Sequence, residues 1–120
     1  MTFLRGANTA AEDTPQAVKQ AVCECFEQIK ERNKLNTKKI GCIIISCTKD
    51  IKSVNPATLL RETNNELSQV AFFCVEEHDF IGAQKLCVRI LLITDQKINK
   101  TKIKHVYLNG AKNLRSDLSC

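Results

Sequence analysis

The sequence predicts a mixed α/β sandwich: a five-stranded mixed sheet carrying one long and one short helix. Three features of the chain predict it. Several runs of seven to ten residues are apolar on both alternating faces, one stretch of about twenty residues follows helical spacing, and an Asn-Pro step opens a shorter helical segment. At 120 residues the chain has the length of one ordinary domain, with no repeats, low-complexity tracts or linkers, so residues 1–120 are read as a single unit.

Residues 2–8 are the first strand, ending at Gly6-Ala7. Asp13-Thr14-Pro15-Gln16 is a helix start in which Asp13 caps, Pro15 suits the first turn and Gln16 completes a capping box. Val18, Val22, Cys25, Phe26 and Ile29 then alternate helically with Lys19, Glu24, Glu27 and Glu31, which gives an amphipathic helix ending near Asn33 to Asn36. Residues 39–47 (KIGCIIISC) form the second strand, and Asn55-Pro56 opens the short helix with Leu59, Leu60 and Arg61. Residues 69–75 (QVAFFCV) are the third strand and run into Glu76-Glu77, while residues 85–94 (KLCVRILLIT) are the fourth. Residues 104–108 (KHVYL) are the fifth, and residues 111–120 close the chain. The helices leave one sheet face to be covered, which a symmetric partner is able to do.

Composition narrows the function classes. The net charge is +5, with lysines crowding residues 97–104 (KINKTKIK). With no Trp and one Tyr, however, the chain lacks the interleaving of basic and aromatic residues used by single-strand binders. The lysines are therefore read as a solvated connection, and nucleic acid is not an expected partner. No apolar run reaches the length of a membrane span and MTFLRGANTA lacks the apolar stretch of a leader, so the expectation is a cytoplasmic protein without membrane contact. The seven cysteines are odd in number, form no CxxC, and fall mostly in apolar runs. Cys23 and Cys25 sit about 200° apart on a helix. They are read as small hydrophobes in a reducing compartment, with no bound metal.

No Gly-x-Ser-x-Gly elbow, phosphate loop or Cys-His pairing is present, and His78 reads as a loop histidine in an acidic turn. Arginine is scarce, five against thirteen lysines, so its positions carry information. Arg32 lies on the polar side of the long helix, Arg5 precedes a glycine at the end of a strand, and Arg61 sits on the short helix. Arg115 follows Leu114, and Arg89 stands in the middle of the most apolar run. A strand apolar on both faces belongs in a sheet covered on both sides, and an ion there needs an anionic partner, either a carboxylate of the protein or a ligand. The guanidinium fork donates to two carboxylate oxygens at once. Several arginines, Tyr107 and a glutamate would suit a small dicarboxylate bearing a hydroxyl; structural salt bridges explain the same residues equally well.

Taken together, several segments resemble the AroH-type chorismate mutases from end to end. They are Arg5-Gly6-Ala7 with Glu12-Asp13-Thr14, Pro56-Ala57 with Arg61, Cys74 and Glu77 after an apolar strand, and Cys87-Val88-Arg89-Ile90. His105-Val106-Tyr107-Leu108 and Ala111 with Leu114-Arg115-Ser116-Asp117-Leu118-Ser119 complete the set. The resemblance implies a homotrimer of pseudo α/β-barrel form, with sites at subunit interfaces, that rearranges chorismate to prephenate without a cofactor. It assigns Arg89 to the breaking ether oxygen and a substrate carboxylate, Arg5 and Tyr107 to carboxylate contacts, and Cys74 and Glu77 to the groups around the ring hydroxyl. Phe73, Cys74, Val75, Glu76 and Glu77 line the site, Arg61 stands at its mouth, and Leu114 is a hydrophobic wall. Where the family commonly has an aromatic residue before the Pro-Ala pair, this chain has Asn55, and Thr58 replaces a frequent lysine. The alternative reading is a non-catalytic or divergent trimer of the same fold, Rid-like, that binds small carboxylates.

Overall fold

The computed structural model describes residues 1–115 and Asp117. Strand β1 (Thr2–Thr9) leads into helix α1 (Pro15–Arg32), followed by β2 (Ile40–Cys47), helix α2 (Pro56–Thr63), β3 (Ala71–Glu76), β4 (Cys87–Thr94) and the two-residue β5 (Val106–Tyr107). The five strands form one mixed sheet in the order β3-β2-β4-β1-β5. β4 is antiparallel to both of its neighbours, whereas the outer pairs β2/β3 and β1/β5 are parallel. The expected class and all five strands are present, with both helices on one face.

Alternation along the strands decides what each face buries. Leu4, Ile43, Ile45, Val88, Ile90 and Leu92 point to the helices and are buried against Val18, Val22, Cys25, Phe26 and Ile29 of α1 and Leu60 of α2. The opposite face is apolar too, but open. It carries Phe3 and Phe73, 52% and 63% exposed, with Ile44, Leu91 and Ile93 only partly covered. Only its β5 end is roofed, where Ala111 and Leu114 pack on Ala7, Cys87 and Tyr107. The expectation that β4 lies in a sheet covered on both sides is thus corrected for the single chain: helices cover one face only.

Local chemistry moves several boundaries. The α1 cap is Thr14, whose hydroxyl accepts the Ala17 N–H, and not Asp13 with Gln16. Asp13 is held elsewhere: its carboxylate accepts the Lys52 and Ser53 N–H groups, and the Ser53 side chain first, then these backbone bonds, lower its pKa. Leu86 falls outside β4 because it takes a positive φ of 50°, its N–H captured by the Asp50 carboxylate at 2.9 and 3.1 Å. β5 is shorter than expected because Asn33 takes both backbone groups of Lys104, at 2.8 Å each, while the His105 ring takes a strand N–H. Of the closing segment, Ser116, Leu118, Ser119 and Cys120 lie outside the described residues.

Close approach of α1 to β1 requires Gly6. A Cβ there would stand 2.6 Å from Ile29 Cδ1 and 2.7 Å from Cys25 Sγ. Gly6→Ala is expected to destabilise the protein by about 1–3 kcal/mol through overpacking, read as a lower urea midpoint at unchanged slope. An unchanged midpoint would show that α1 yields freely.

Candidate active site

Strand register lays Val75, Ser46, Arg89, Ala7 and Tyr107 in one row across all five strands on the open face. The next row holds Phe73, Ile44, Leu91 and Arg5. Arg89 is therefore central, with Arg5 diagonal to it on β1 and Tyr107 two strands away. The start of β4 is pinned by Thr48 and Asp50, since the Cys87 N–H donates to the Thr48 hydroxyl at 3.0 Å and the Leu86 N–H to Asp50. These bonds fix the strand two residues before Arg89.

A cleft of about 430 Å³ opens between this row and the closing segment, lined by Arg5, Ser46, Arg89, Tyr107, Leu114 and Arg115. Such a volume suits a small molecule. Arg89 is not sealed in the core, its side chain being 41% exposed, and its Nε lies 2.6 Å from Glu77 Oε1. The pair is close but misaligned: the Nε–H does not point at the carboxylate, and Glu77 Oε2 is buried without a partner among the described residues. Glu77 thus supplies the anion that the sequence demanded for Arg89, and it leaves both groups with unused hydrogen-bonding capacity. Arg115 forms a two-point pair with Asp117 at 2.9 and 3.1 Å, an exposed contact that holds the Asp117 carboxyl below its usual range. Arg5 has no ion pair among the described residues. The cleft therefore holds three guanidinium groups: Arg5 without an ion pair among the described residues, Arg89 engaged through Nε alone, and Arg115 paired at two points with Asp117.

Of the candidate residues, the single chain brings together Arg5, Glu77, Arg89, Tyr107 and Leu114. It does not bring the rest to them. Phe73 and Val75 share the open face but lie beyond β2, whereas Cys74 alternates to the other side and packs against the main core. Cys74, Val75 and Glu76 instead line a second hollow of about 380 Å³ with Cys47, Asn55 and Pro56. Arg61 is exposed on α2, and none of the cavities described here includes it. Asn55 N-caps α2, its Oδ1 accepting the Ala57 and Thr58 N–H groups at 2.9 and 3.4 Å. The cap explains an asparagine here, where an aromatic ring could not hold the helix end. Ser46 and Arg115 are the polar side chains of the cleft that the sequence did not assign to a site. Strand pairing was the missing signal for Ser46; Arg115 was marked by the scarcity of arginine, but the turn that brings it to the cleft was not legible.

The surrounding thiols are poor nucleophiles. Burial and the neighbouring Cys74 push the Cys47 thiol up to about 11, and burial pushes Cys87 up to about 11 against the opposing pull of Arg89. Among the described residues no group of three His, Cys, Asp or Glu side chains is placed to hold a metal ion, and no helix is long and apolar enough to cross a membrane. At the rim, His105 Nδ1 accepts the Arg5 N–H at 3.0 Å. Burial, then the charges of Arg5 and Arg115, lower the His105 pKa.

Comparison with known proteins gives a consistent result. The family model "Chorismate mutase type I" matches residues 1–118. Chorismate mutase AroH of Bacillus subtilis (strain 168) is 32% identical over 116 residues, which is 97% of this chain and 91% of that protein. Chorismate mutase AroH of Thermus thermophilus is 30% identical over 116 residues, 96% of this chain and 93% of that protein. The solved structure of a chorismate mutase from Clostridium thermocellum superposes with a TM-score of 0.87 at 32% identity, covering 94% of this chain and 99% of that one.

Because burial, then the charges of Arg5 and Arg115, lower the His105 pKa in the fold, the unfolded chain binds the proton more readily, and stability is lost as pH falls below the ordinary 6.5. Between pH 7 and pH 5, wild type is expected to lose more Tm than His105→Gln. Parallel Tm-against-pH curves would count against this coupling.

Proposed function

The chain belongs to the chorismate mutase type I family and is a chorismate mutase, an isomerase of aromatic amino acid biosynthesis; from that premise we propose how its residues divide the work. Chorismate is rearranged to prephenate within one molecule: the ether C–O bond breaks, a C–C bond forms, and no atom is gained or lost. Such a reaction needs neither a nucleophile nor a proton carrier. It needs the extended substrate held in its compact, chair-like form and the charge that builds on the ether oxygen stabilised.

Arg89 is the electrostatic catalyst. It is central in the row, and because Glu77 stands only against its buried Nε, the exposed end of the guanidinium keeps N–H donors for an oxygen arriving in the cleft. That observation carries the assignment. A guanidinium fixed on a strand and aimed at an oxygen that becomes anionic only as the bond breaks lowers the barrier more than it strengthens ground-state binding. Glu77, beside it, takes the ring hydroxyl. Arg5 and Tyr107 take the carboxylates, and Leu114 walls the ring.

The working form is a homotrimer with interfacial active sites, in the cytoplasm. Two features of the chain support the trimer. Its open sheet face exposes Phe3 and Phe73. In addition, the half-site of Arg5, Arg89 and Tyr107 faces away from the half-site of Cys74 and Glu76, so one copy cannot direct both at one substrate. A second copy can, with Phe73, Cys74, Val75, Glu76 and Arg61 completing the pocket that Arg5, Glu77, Arg89, Tyr107 and Leu114 begin. The six described cysteines are all unpaired, in keeping with a reducing compartment.

Chorismate consumption followed by ultraviolet absorbance tests the catalytic assignment. Arg89→Ala is expected to reduce kcat by about a hundred- to a thousandfold, the cost of losing one such donor. A folded variant with wild-type kcat would remove Arg89 from the role. Light scattering tests the assembly: the expected mass is three times the chain's 13.5 kDa, and a monomer that turns over chorismate would refute the shared site.

A further inference from the structure

β5 carries Tyr107 and leads to Leu114 and Arg115, yet it is two residues long and lies at the edge of the sheet. Its ladder to β1 spans only Gly6/Val106 and Ala7/Tyr107, extended by the Leu108 N–H to the Ala7 carbonyl at 3.0 Å. So short an edge strand has little backbone pairing to hold it. Side chains supply the rest. Asn8, fully buried at the end of β1, donates from Nδ2 to the Ala21 carbonyl of α1 at 3.1 Å. Its Oδ1 accepts the Thr9 N–H at 2.9 Å and Asn109 Nδ2 at 2.8 Å. The backbone partners on both sides leave only one orientation for the amide. Next to it, the Gly110 N–H donates to the Thr9 hydroxyl at 3.0 Å, in a seat so tight that a Cβ on Gly110 would come 3.0 Å from Thr9 Cγ2.

We propose that the Asn8–Asn109 amide pair, with Thr9 and Gly110 beside it, is a positioning clasp that holds Tyr107 and the Leu114–Arg115 wall in register with Arg89 and thereby sets the affinity for substrate. Asn8 follows Ala7, the residue that sits between Arg89 and Tyr107 in the row. Asn109 opens the 3-10 turn Asn109–Asn113, which delivers Leu114 and Arg115 to the cleft. One buried amide thus ties α1, β1 and the closing turn together on the far side of the sheet from the substrate. Neither asparagine touches the cleft, so the pair acts through other residues. The inference rests on the mutase reading for its kinetic consequence and on hydrogen bonding alone for its structural one.

Asn109 lies at a positive φ of 49°, a conformation that glycine and aspartate also tolerate. Asn109→Gly therefore deletes the amide without straining the backbone. Asn109→Asp keeps the residue's shape and stiffness but turns the donor into a carboxylate facing Asn8 Oδ1. Tyr107 is the only tyrosine and there is no tryptophan, so intrinsic fluorescence reports this segment by itself. Both variants are expected to raise acrylamide quenching of Tyr107. Both are also expected to raise KM for chorismate by about three- to tenfold, the range of one lost neutral hydrogen bond, while kcat stays within about twofold. Unchanged quenching would overturn the clasp. Increased quenching with unchanged KM, or a lowered Tm alone, would reduce the pair to ordinary structural support and overturn the positioning role. An effect of glycine without one of aspartate would assign the change to backbone freedom and equally overturn it. A wild type that does not turn over chorismate would fail the mutase reading and, with it, the kinetic role; the quenching comparison would still decide the clasp.

Discussion

Everything about this site depends on holding a guanidinium in the middle strand of an otherwise apolar sheet. An ion so placed is costly to desolvate and is tolerated only where water or an anion reaches it. The fold meets that constraint by covering one sheet face with helices and leaving the other open, so that Arg89 projects to the uncovered side. Glu77 meets its charge without aligning to it. Only the buried Nε is engaged, so the charge is held in place while the exposed end of the guanidinium stays open to the cleft.

The same open face links the proposed catalysis to the proposed assembly. Phe3, Phe73, Leu91 and Ile93 make it apolar. In the proposed trimer, covering the face with a second copy would bury that apolar surface and complete the pocket in one step. Excluding water there would also strengthen every charge interaction in the cleft. A separate lid is not required by such an arrangement.

Sequence patterns were most informative where the signal is local. Alternation placed Arg89 on the face opposite Val88 and Ile90, and helical spacing picked out Val18, Val22, Cys25, Phe26 and Ile29 as the buried stripe of α1. They failed where a polar group had two possible partners. Asp13 has the chemistry of a helix cap but is drawn to the Lys52 and Ser53 N–H groups, and Thr14 takes its place. Lys104 and His105 read as strand, yet Asn33 and the Arg5 N–H claim their hydrogen bonds. Asn8 carried no signal at all, since one buried amide in a strand looks like any exposed one until its partners at residues 21 and 109 are known.

By itself, then, the sequence determined which side of each strand a residue occupies, which helix face is buried, and that an anion must meet Arg89. Only the tertiary structure decided which anion that is, and which strands are neighbours. The strand order puts β4 between β2 and β1, and so sets Arg5 and Tyr107, from opposite ends of the chain, on the same cleft as Arg89. The reason is physical: side-chain periodicity is written into each segment, but backbone N–H and C=O groups are alike in every strand. Which strands pair is therefore settled by the packing of the whole chain.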